Sequence, residues 1–327
     1  MSRCVCGHPE EVHLLGGRCR APRCPCDQFQ PIPEVHGGAR AIDATDGGRT
    51  PRVNDPRLRL ALVLARLGGR LASASRRPAS ISWKGPGDRV TDVDTAIQSQ
   101  LVKEIHARFP QDGVVAEEGP AAAAIEREFV WAVDPLDGTN NFALSIPCFA
   151  VSIGVLKDGL PYAGVVHDPN TGLSWWARSG EGAFADGRAL RLESRPLTAA
   201  SNIAVRIPID PGLEPLVGAW LRQYKFRGFG SVALHLVYAA LGGLDIVLDH
   251  KATLWDITAG TVILLEAGGV VTDPRGRPRF PAEPAAYRGD PMPILAGNMS
   301  AHAQALAGCR AAIGAGRDAL ATRESPR

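Results

Sequence analysis

Phe129-Val-Trp-Ala-Val-Asp134-Pro-Leu-Asp137-Gly-Thr-Asn-Asn-Phe142 is the stretch that decides the fold. Its apolar run, Phe129 to Val133, reads as a buried strand ending at Asp134. Pro135 has no N–H to give a ladder, so regular strand pairing is expected to stop there. Asp134 and Asp137 then stand within a few residues of each other at the strand's carboxyl end. Carboxylates held that close repel, and one keeps its proton unless a cation neutralises them. Magnesium suits such a site, being hard, oxygen-seeking and content with a few carboxylates plus a substrate phosphate. Gly138 and Thr139 supply the other half: a glycine lets backbone N–H groups approach an anion, and the threonine adds a hydroxyl. An Asp/Gly turn without chemistry is the plainer reading of Asp-Pro or Asp-Gly alone. Six constrained positions after a hydrophobic strand favour the chemical one.

Length and composition bound the rest. A chain of 327 residues holds two domains or one large layered one. Hydrophobic residues at 45% and charged residues at 21% are ordinary for a globular enzyme. The formal charge of +2 makes no case for nucleic acid or an anionic membrane as the main partner. No apolar run reaches the length of a membrane span and the N-terminus lacks a signal-peptide core, so a cytoplasmic location is expected. Five of seven cysteines, Cys4, Cys6, Cys19, Cys24 and Cys26, fall in the first 26 residues beside His8 and His13. In a reduced compartment that density argues for structural zinc rather than disulfides, although the Cys-x-Cys spacing leaves the four ligands ambiguous. A redox-prone tail is the alternative. Cys148 and Cys309 are expected to be buried small hydrophobes.

Taken in order, residues 1–30 form the Cys/His segment and residues 31–56 a Gly/Pro-rich linker. Leu58, Leu60, Leu62, Leu64, Leu67 and Leu71 then mark a helix, and Asp92 to Phe109 a second, capped by Thr91 or Asp92. Val114 to Ala116 reads as a short strand running into Glu117-Glu118. Ala150–Val155 and Tyr162–His167 flank an Asp-Gly hairpin turn, with further strands at Leu173–Ala177 and Gly182–Ala185. The second half alternates: strands at Asn202–Val205, Lys225–Phe226 and Asp245–Leu248, helices at Ser231–Leu241 and Ile257–Ala267, and late strands at Val270–Val271 and Ile294–Ala296. This divides the body into an α+β subdomain at 57–195 and an α/β subdomain at 196–312. Residues 313–327 read as a frayed tail.

Three signatures now line up: Glu117-Glu118-Gly119, Asp134-Pro-Leu-Asp137-Gly138-Thr139 and Trp255-Asp256-Ile-Thr-Ala-Gly260. Together they resemble the inositol monophosphatase family of metal-dependent, lithium-sensitive phosphomonoesterases, over roughly Leu58 to Ala312. The resemblance implies an αβαβα layered sandwich and a homodimer. By position it makes Glu117, Asp134 and the Leu136 carbonyl ligands of one magnesium. Asp134, Asp137 and Asp256 become ligands of a second, within a site that takes two or three. Glu117 and Thr139 would orient the attacking water, with Asp94 positioning the threonine. Gly138 and Thr139 would hold the phosphate, while Asp137, Ser231 and Asp249 would lie at the substrate. Alone, Trp255-Asp256 would equally suit a helix cap beneath a core tryptophan.

The implied reaction is magnesium-dependent hydrolysis of a small phosphate monoester, inositol 1-phosphate or a related polyol or sugar phosphate. Of three departures in these motifs, the last bears on the substrate. Ala116 replaces the family's usual glycine, Leu144 stands near a usual histidine, and Asp249 replaces a usual glutamate. Histidinol phosphate, 3′-phosphoadenosine 5′-phosphate and fructose 1,6-bisphosphate are therefore alternative substrates. An inactive, zinc-bearing interaction module, with a protein partner on the N-terminal segment, is the alternative from outside enzymology.

Overall fold

The computed structural model describes residues 53–75, 80–85, 88–118 and 126–323. The expected zinc segment at residues 1–30 lies outside the described residues.

Helix α1 (Pro56–Ala74) opens with proline in its first turn and Asp55 as cap, Leu58 N donating to the Asp55 carboxylate at 2.8 Å. A hairpin, β1 (Ile81–Gly85) and β2 (Asp88–Thr91), leads into α2 (Asp92–Arg108). Thr91 caps α2 in a reciprocal box with Asp94, as the Thr/Asp spacing allows. Then come β3 (Gly113–Ala116), β4 (Phe129–Asp137), the short α3 (Thr139–Ala143), β5 (Ala150–Lys157), β6 (Leu160–His167), β7 (Ser174–Arg178), β8 (Gly182–Ala185) and β9 (Arg188–Leu190). These build a seven-stranded sheet in the order β3-β4-β5-β6-β7-β8-β9, antiparallel except for β3 on β4. The second half supplies β10 (Asn202–Val205), α4 (Glu214–Gln223), β11 (Lys225–Phe226), α5 (Val232–Ala240), β12 (Ile246–Asp249), α6 (Leu254–Glu266), β13 (Val270–Thr272), β14 (Ile294–Gly297) and α7 (Met299–Arg323). Its sheet has five strands in the order β11-β10-β12-β14-β13.

Strand alternation sorts the core into three layers of packing. Trp131 and Val133 point to one face of the large sheet, where Leu58, Leu64, Ile97 and Leu101 of α1 and α2 cover them. Val130 and Ala132 point to the other face and meet Leu236 of α5 and Ile263 of α6. Those helices are buried on both sides, since Val247 and Ala296 of the small sheet close the same cluster. Ile246, Leu248 and Leu295 face outward against Val217 and Trp220 of α4 and Ala301 and Ala305 of α7. The result is the expected αβαβα sandwich. Helix α6 comes so close to the large sheet that a Cβ at Gly164 would sit 2.6 Å from the Ala259 Cα.

Several expectations need correction. The strand expected to end at Asp134 runs to Asp137, although its ladder to β5 does break between Asp134 and Asp137, where Pro135 cannot donate. Helix α6 begins at Leu254 rather than Ile257, its start fixed by the Asp256 carboxylate, which accepts from Thr253 N at 2.8 Å. The β1–β2 hairpin, which carries no clear apolar period, and α4, whose Leu216, Val217, Trp220 and Leu221 do recur at helical spacing, were not expected from the sequence. The expected tail from residue 313 is the continuation of α7. Cys309 is buried, as expected, but Cys148 is only half-buried.

Candidate active site

Because Val130 and Ala132 face α6, the next residue in the alternation, Asp134, faces it too, and α6 carries Asp256 in its first turn. Asp134 is 2% exposed and Asp137 8%, while Asp256 keeps partial contact with solvent at the cleft. Burial pushes the Asp134 carboxyl well above the usual carboxylate range, and the charges of Glu117, Asp137 and Asp256 and a hydrogen bond with Glu117 add to the effect. Asp256 is likewise raised well above its usual value by desolvation and by Asp137 and Glu117. Asp137 is pushed up to about 6 by burial, against the pull of hydrogen bonds from Ser231 and the α5 amides. Four acids from β4, α6 and the β3 exit therefore share one field. Among the described residues no three His, Cys, Asp or Glu side chains are drawn together as tightly as a metal cage requires. The donor set is nevertheless all carboxylate and carbonyl oxygen, the chemistry of a hard divalent cation rather than zinc.

Each acid is held by its own local device. The carboxylate of Asp134 accepts from Leu136 N at 2.9 Å, forming a turn that brings the Leu136 carbonyl within 3.0 Å of the Thr139 hydroxyl. Asp137 Oδ2 accepts from the Ser231 hydroxyl at 2.6 Å and from Ala233 N at 2.5 Å. Ser231 also caps α5, so the start of that helix is tied to the end of β4. Gly138 adopts φ 103°, and a Cβ there would sit 2.9 Å from the Cys148 carbonyl oxygen. Only glycine turns the chain into α3 at that point. Asn141 Nδ2 then donates to the carbonyls of Cys148 and Phe229, both at 2.6 Å, which fastens the turn to the loop before Ser231.

Thr139 and Asp94 meet as the resemblance implied: the Thr139 hydroxyl donates to Asp94 Oδ1 at 2.7 Å. The other oxygen of Asp94 is occupied by Thr91, through its backbone N–H at 2.9 Å and through its hydroxyl. Asp94 is wholly buried, so it is a rigid acceptor that fixes the threonine rotamer. One helical turn later Gln98 receives the Glu118 N–H at 2.7 Å and donates back to the Glu118 carbonyl. Helix α2 thereby holds both Thr139 and the segment bearing Glu117. Gln98 was missed in the sequence. Its only signal was its i+4 spacing from Asp94, on the same helix face.

Asp249 closes β12 with 1% exposure. Its Oδ1 accepts from Lys251 N and Ala252 N, each at 2.8 Å, and Oδ2 stands 3.7 Å from Arg206. The turn role is thus filled, and the carboxylate is shared with an arginine.

Known proteins carry the same arrangement of sequence. The protein named Nus factor SuhB from Escherichia coli K12 is 32% identical over 250 residues, covering 74% of this chain and 94% of its own. An inositol-1-monophosphatase from Mesorhizobium japonicum is 35% identical over 202 residues, 60% of this chain and 76% of that protein. Among solved structures, the extragenic suppressor protein SuhB from Bartonella henselae superposes with a TM-score of 0.69 at 29% identity, covering 77% of this chain and 97% of its own. The sequence model of one family matches residues 55–308, a span that takes in every acid of the cleft, and the chain belongs to that family, the inositol monophosphatases.

Proposed function

We propose that this chain hydrolyses a small phosphate monoester with magnesium bound by Glu117, Asp134, the Leu136 carbonyl, Asp137 and Asp256. The observation that carries the reading is the field shared by these four acids next to a threonine hydroxyl fixed by Asp94. Asp134, Asp137 and Asp256, each raised above the usual carboxylate range, make a costly cluster, and a divalent cation offsets that cost better than protons do. When bound, the metal supplies Lewis-acid polarisation of the ester and a water acidic enough to attack it at neutral pH. The chain does the rest. Glu117 and Thr139 align the water, and the Thr139 hydroxyl, already donating to Asp94, turns its lone pairs to the incoming O–H. The N–H groups of Gly138 and Thr139 face the phosphate oxygens. Asp137, Ser231 and Asp249 border the alcohol portion. No histidine or cysteine nucleophile is needed.

Inositol 1-phosphate is the first substrate to test, since one relative is named an inositol-1-monophosphatase. Purified protein assayed with magnesium against a panel of phosphomonoesters should turn over at least one, and Asp134→Asn should lose nearly all of that rate while keeping its melting temperature. Turnover that survives in Asp134→Asn, or in wild type under EDTA, would refute the metal assignment. The relatives named Nus factor SuhB support a second role of the kind that name states. The same variant separates the two, because it changes a buried cleft charge and leaves the surface intact.

A further inference from the structure

A cleft of about 530 Å³ lies apart from the catalytic acids, and neither Glu117, Asp134, Asp137, Asp256 nor Thr139 lines it. Its walls come from the segment between β10 and α4, from His250 just after β12, from the turn after β13 and from Ile313 on α7. The turn contributes three arginines, Arg275, Arg277 and Arg279, at alternating positions of one short run. Two acids also line the cleft, and both are engaged by the chain. Asp273 accepts from the backbone of Arg275 and Arg277 at 2.8 Å each and from the Arg277 side chain at 2.6 Å. Asp210 accepts from Gly212 N at 2.7 Å. Arg279 is different: its Nε is buried with no hydrogen-bond partner. Buried donors in folded proteins are nearly always paired, so an orphan in the wall of a cleft marks where an acceptor belongs.

We propose that this cleft binds a small phosphorylated organic anion, with Arg275 and Arg279 as its principal donors. Planar guanidinium groups match the oxygens of a phosphate, and three of them against two engaged carboxylates leave the cleft electropositive. A lone water would satisfy the Arg279 Nε but not that charge. The volume exceeds what bare phosphate fills, and Leu213, Pro274, Pro293 and Ile313 offer apolar wall to an organic body. His250, in the cleft wall, directly follows Asp249, the residue proposed to border the substrate.

The test uses the full-length chain under EDTA, where the active site lacks the metal proposed to hold a phosphate and does not compete. Inorganic phosphate and glucose 6-phosphate serve as probes, read by calorimetry and by shift in melting temperature. The ester should bind and should do so at least tenfold more tightly than inorganic phosphate. Arg275→Met and Arg279→Met should each weaken it at least tenfold, and Asp134→Asn should leave it unchanged. Arg275 is exposed, so its variant reports binding even if Arg279→Met unfolds. No binding, binding undiminished in both arginine variants, or binding lost in Asp134→Asn would overturn the site. Equal affinity for the two probes would overturn the organic class. None of these readings depends on turnover, so the phosphatase proposal can fail without deciding them.

Discussion

At the scale of single residues, positioning separates Gln98 and Asp249 from the acids they serve. Gln98 makes both of its bonds to the backbone of Glu118 and none to the cleft itself, so it acts through the path of the chain. Gln98→Ala frees that segment and lets Glu117 drift. Displacements of about 1 Å can cost up to about a hundredfold in rate. We expect kcat to fall roughly ten- to a hundredfold and the magnesium needed for half-maximal activity to rise, with the melting temperature almost unchanged. A wild-type rate with a wild-type magnesium requirement would mean that Glu117 is held by something else. Asp249 poses the opposite problem, because its turn bonds and its charge are separable. Asp249→Ala orphans two N–H groups and should cost about 1–3 kcal/mol of stability. Asp249→Asn keeps an acceptor for Lys251 and Ala252 but withdraws the charge. If Asp249 recognises the alcohol, both variants should reorder a panel of phosphomonoesters, and Asp249→Glu should move preference toward inositol phosphates. An unchanged ranking in all three would confine Asp249 to the turn and shift the search for specificity to Ser231.

At the scale of elements, α5 combines a capping serine at its start with a buried histidine one turn in. His235 Nε2 accepts from Phe229 N at 2.9 Å, which requires the neutral ring with its proton on Nδ1. Burial, with a smaller contribution from Arg206, lowers its pKa to about 4. In the unfolded chain the ring takes a proton near 6.5, so between those values the unfolded state binds more protons and stability must fall as pH falls. Its contribution is whole above about 6.5 and lost progressively toward about 4, amounting to at most about 3 kcal/mol. Denaturant unfolding of wild type and His235→Gln from pH 7 to 4 should show the gap between them shifting by that order. A gap that stays constant with pH would show that His235 is not the titrating group. The same helix shows what the sequence could reveal. Ser231–Leu241 was legible because it is apolar throughout and bounded by a capping serine and by Gly242-Gly243. The hairpin at Ile81–Thr91 was not, since Arg89 stacks on Trp83 at 4.5 Å and bonds Asn140 at 2.9 Å, contacts that leave no periodic trace. Glu117, Asp134, Asp137 and Asp256 could be named from their motifs, but Gln98 and the partners of Asp249 exist only once the layers are stacked.

At the scale of the whole molecule, the packing shows how early the described body is tied together. Asp55 caps α1 and its other oxygen receives the Tyr162 hydroxyl at 2.6 Å, with Arg178 3.5 Å away. Arg57 pairs with both oxygens of Asp112, at 2.7 and 2.8 Å, and Asp112 also receives Trp131 Nε1 at 2.8 Å. Among the described residues, these are the first whose loss would strip hydrogen-bond partners from buried groups of the large sheet. The family match begins at the same place, residue 55. None of the acids proposed to hold the metal falls in residues 1–30, so removing them should leave both the melting transition and the turnover of the best substrate near wild type. The Cys4, Cys6, His8, His13, Cys19, Cys24 and Cys26 cluster has a separate prediction. So short a segment buries little apolar surface, and folding it requires the binding energy of a metal. Elemental analysis of the full-length chain should find about one zinc that the truncated chain lacks. Zinc-free full-length protein would end the zinc assignment and leave the phosphatase untouched. A truncated chain that melts as wild type but no longer turns over substrate would place residues 1–30 in the service of the active site.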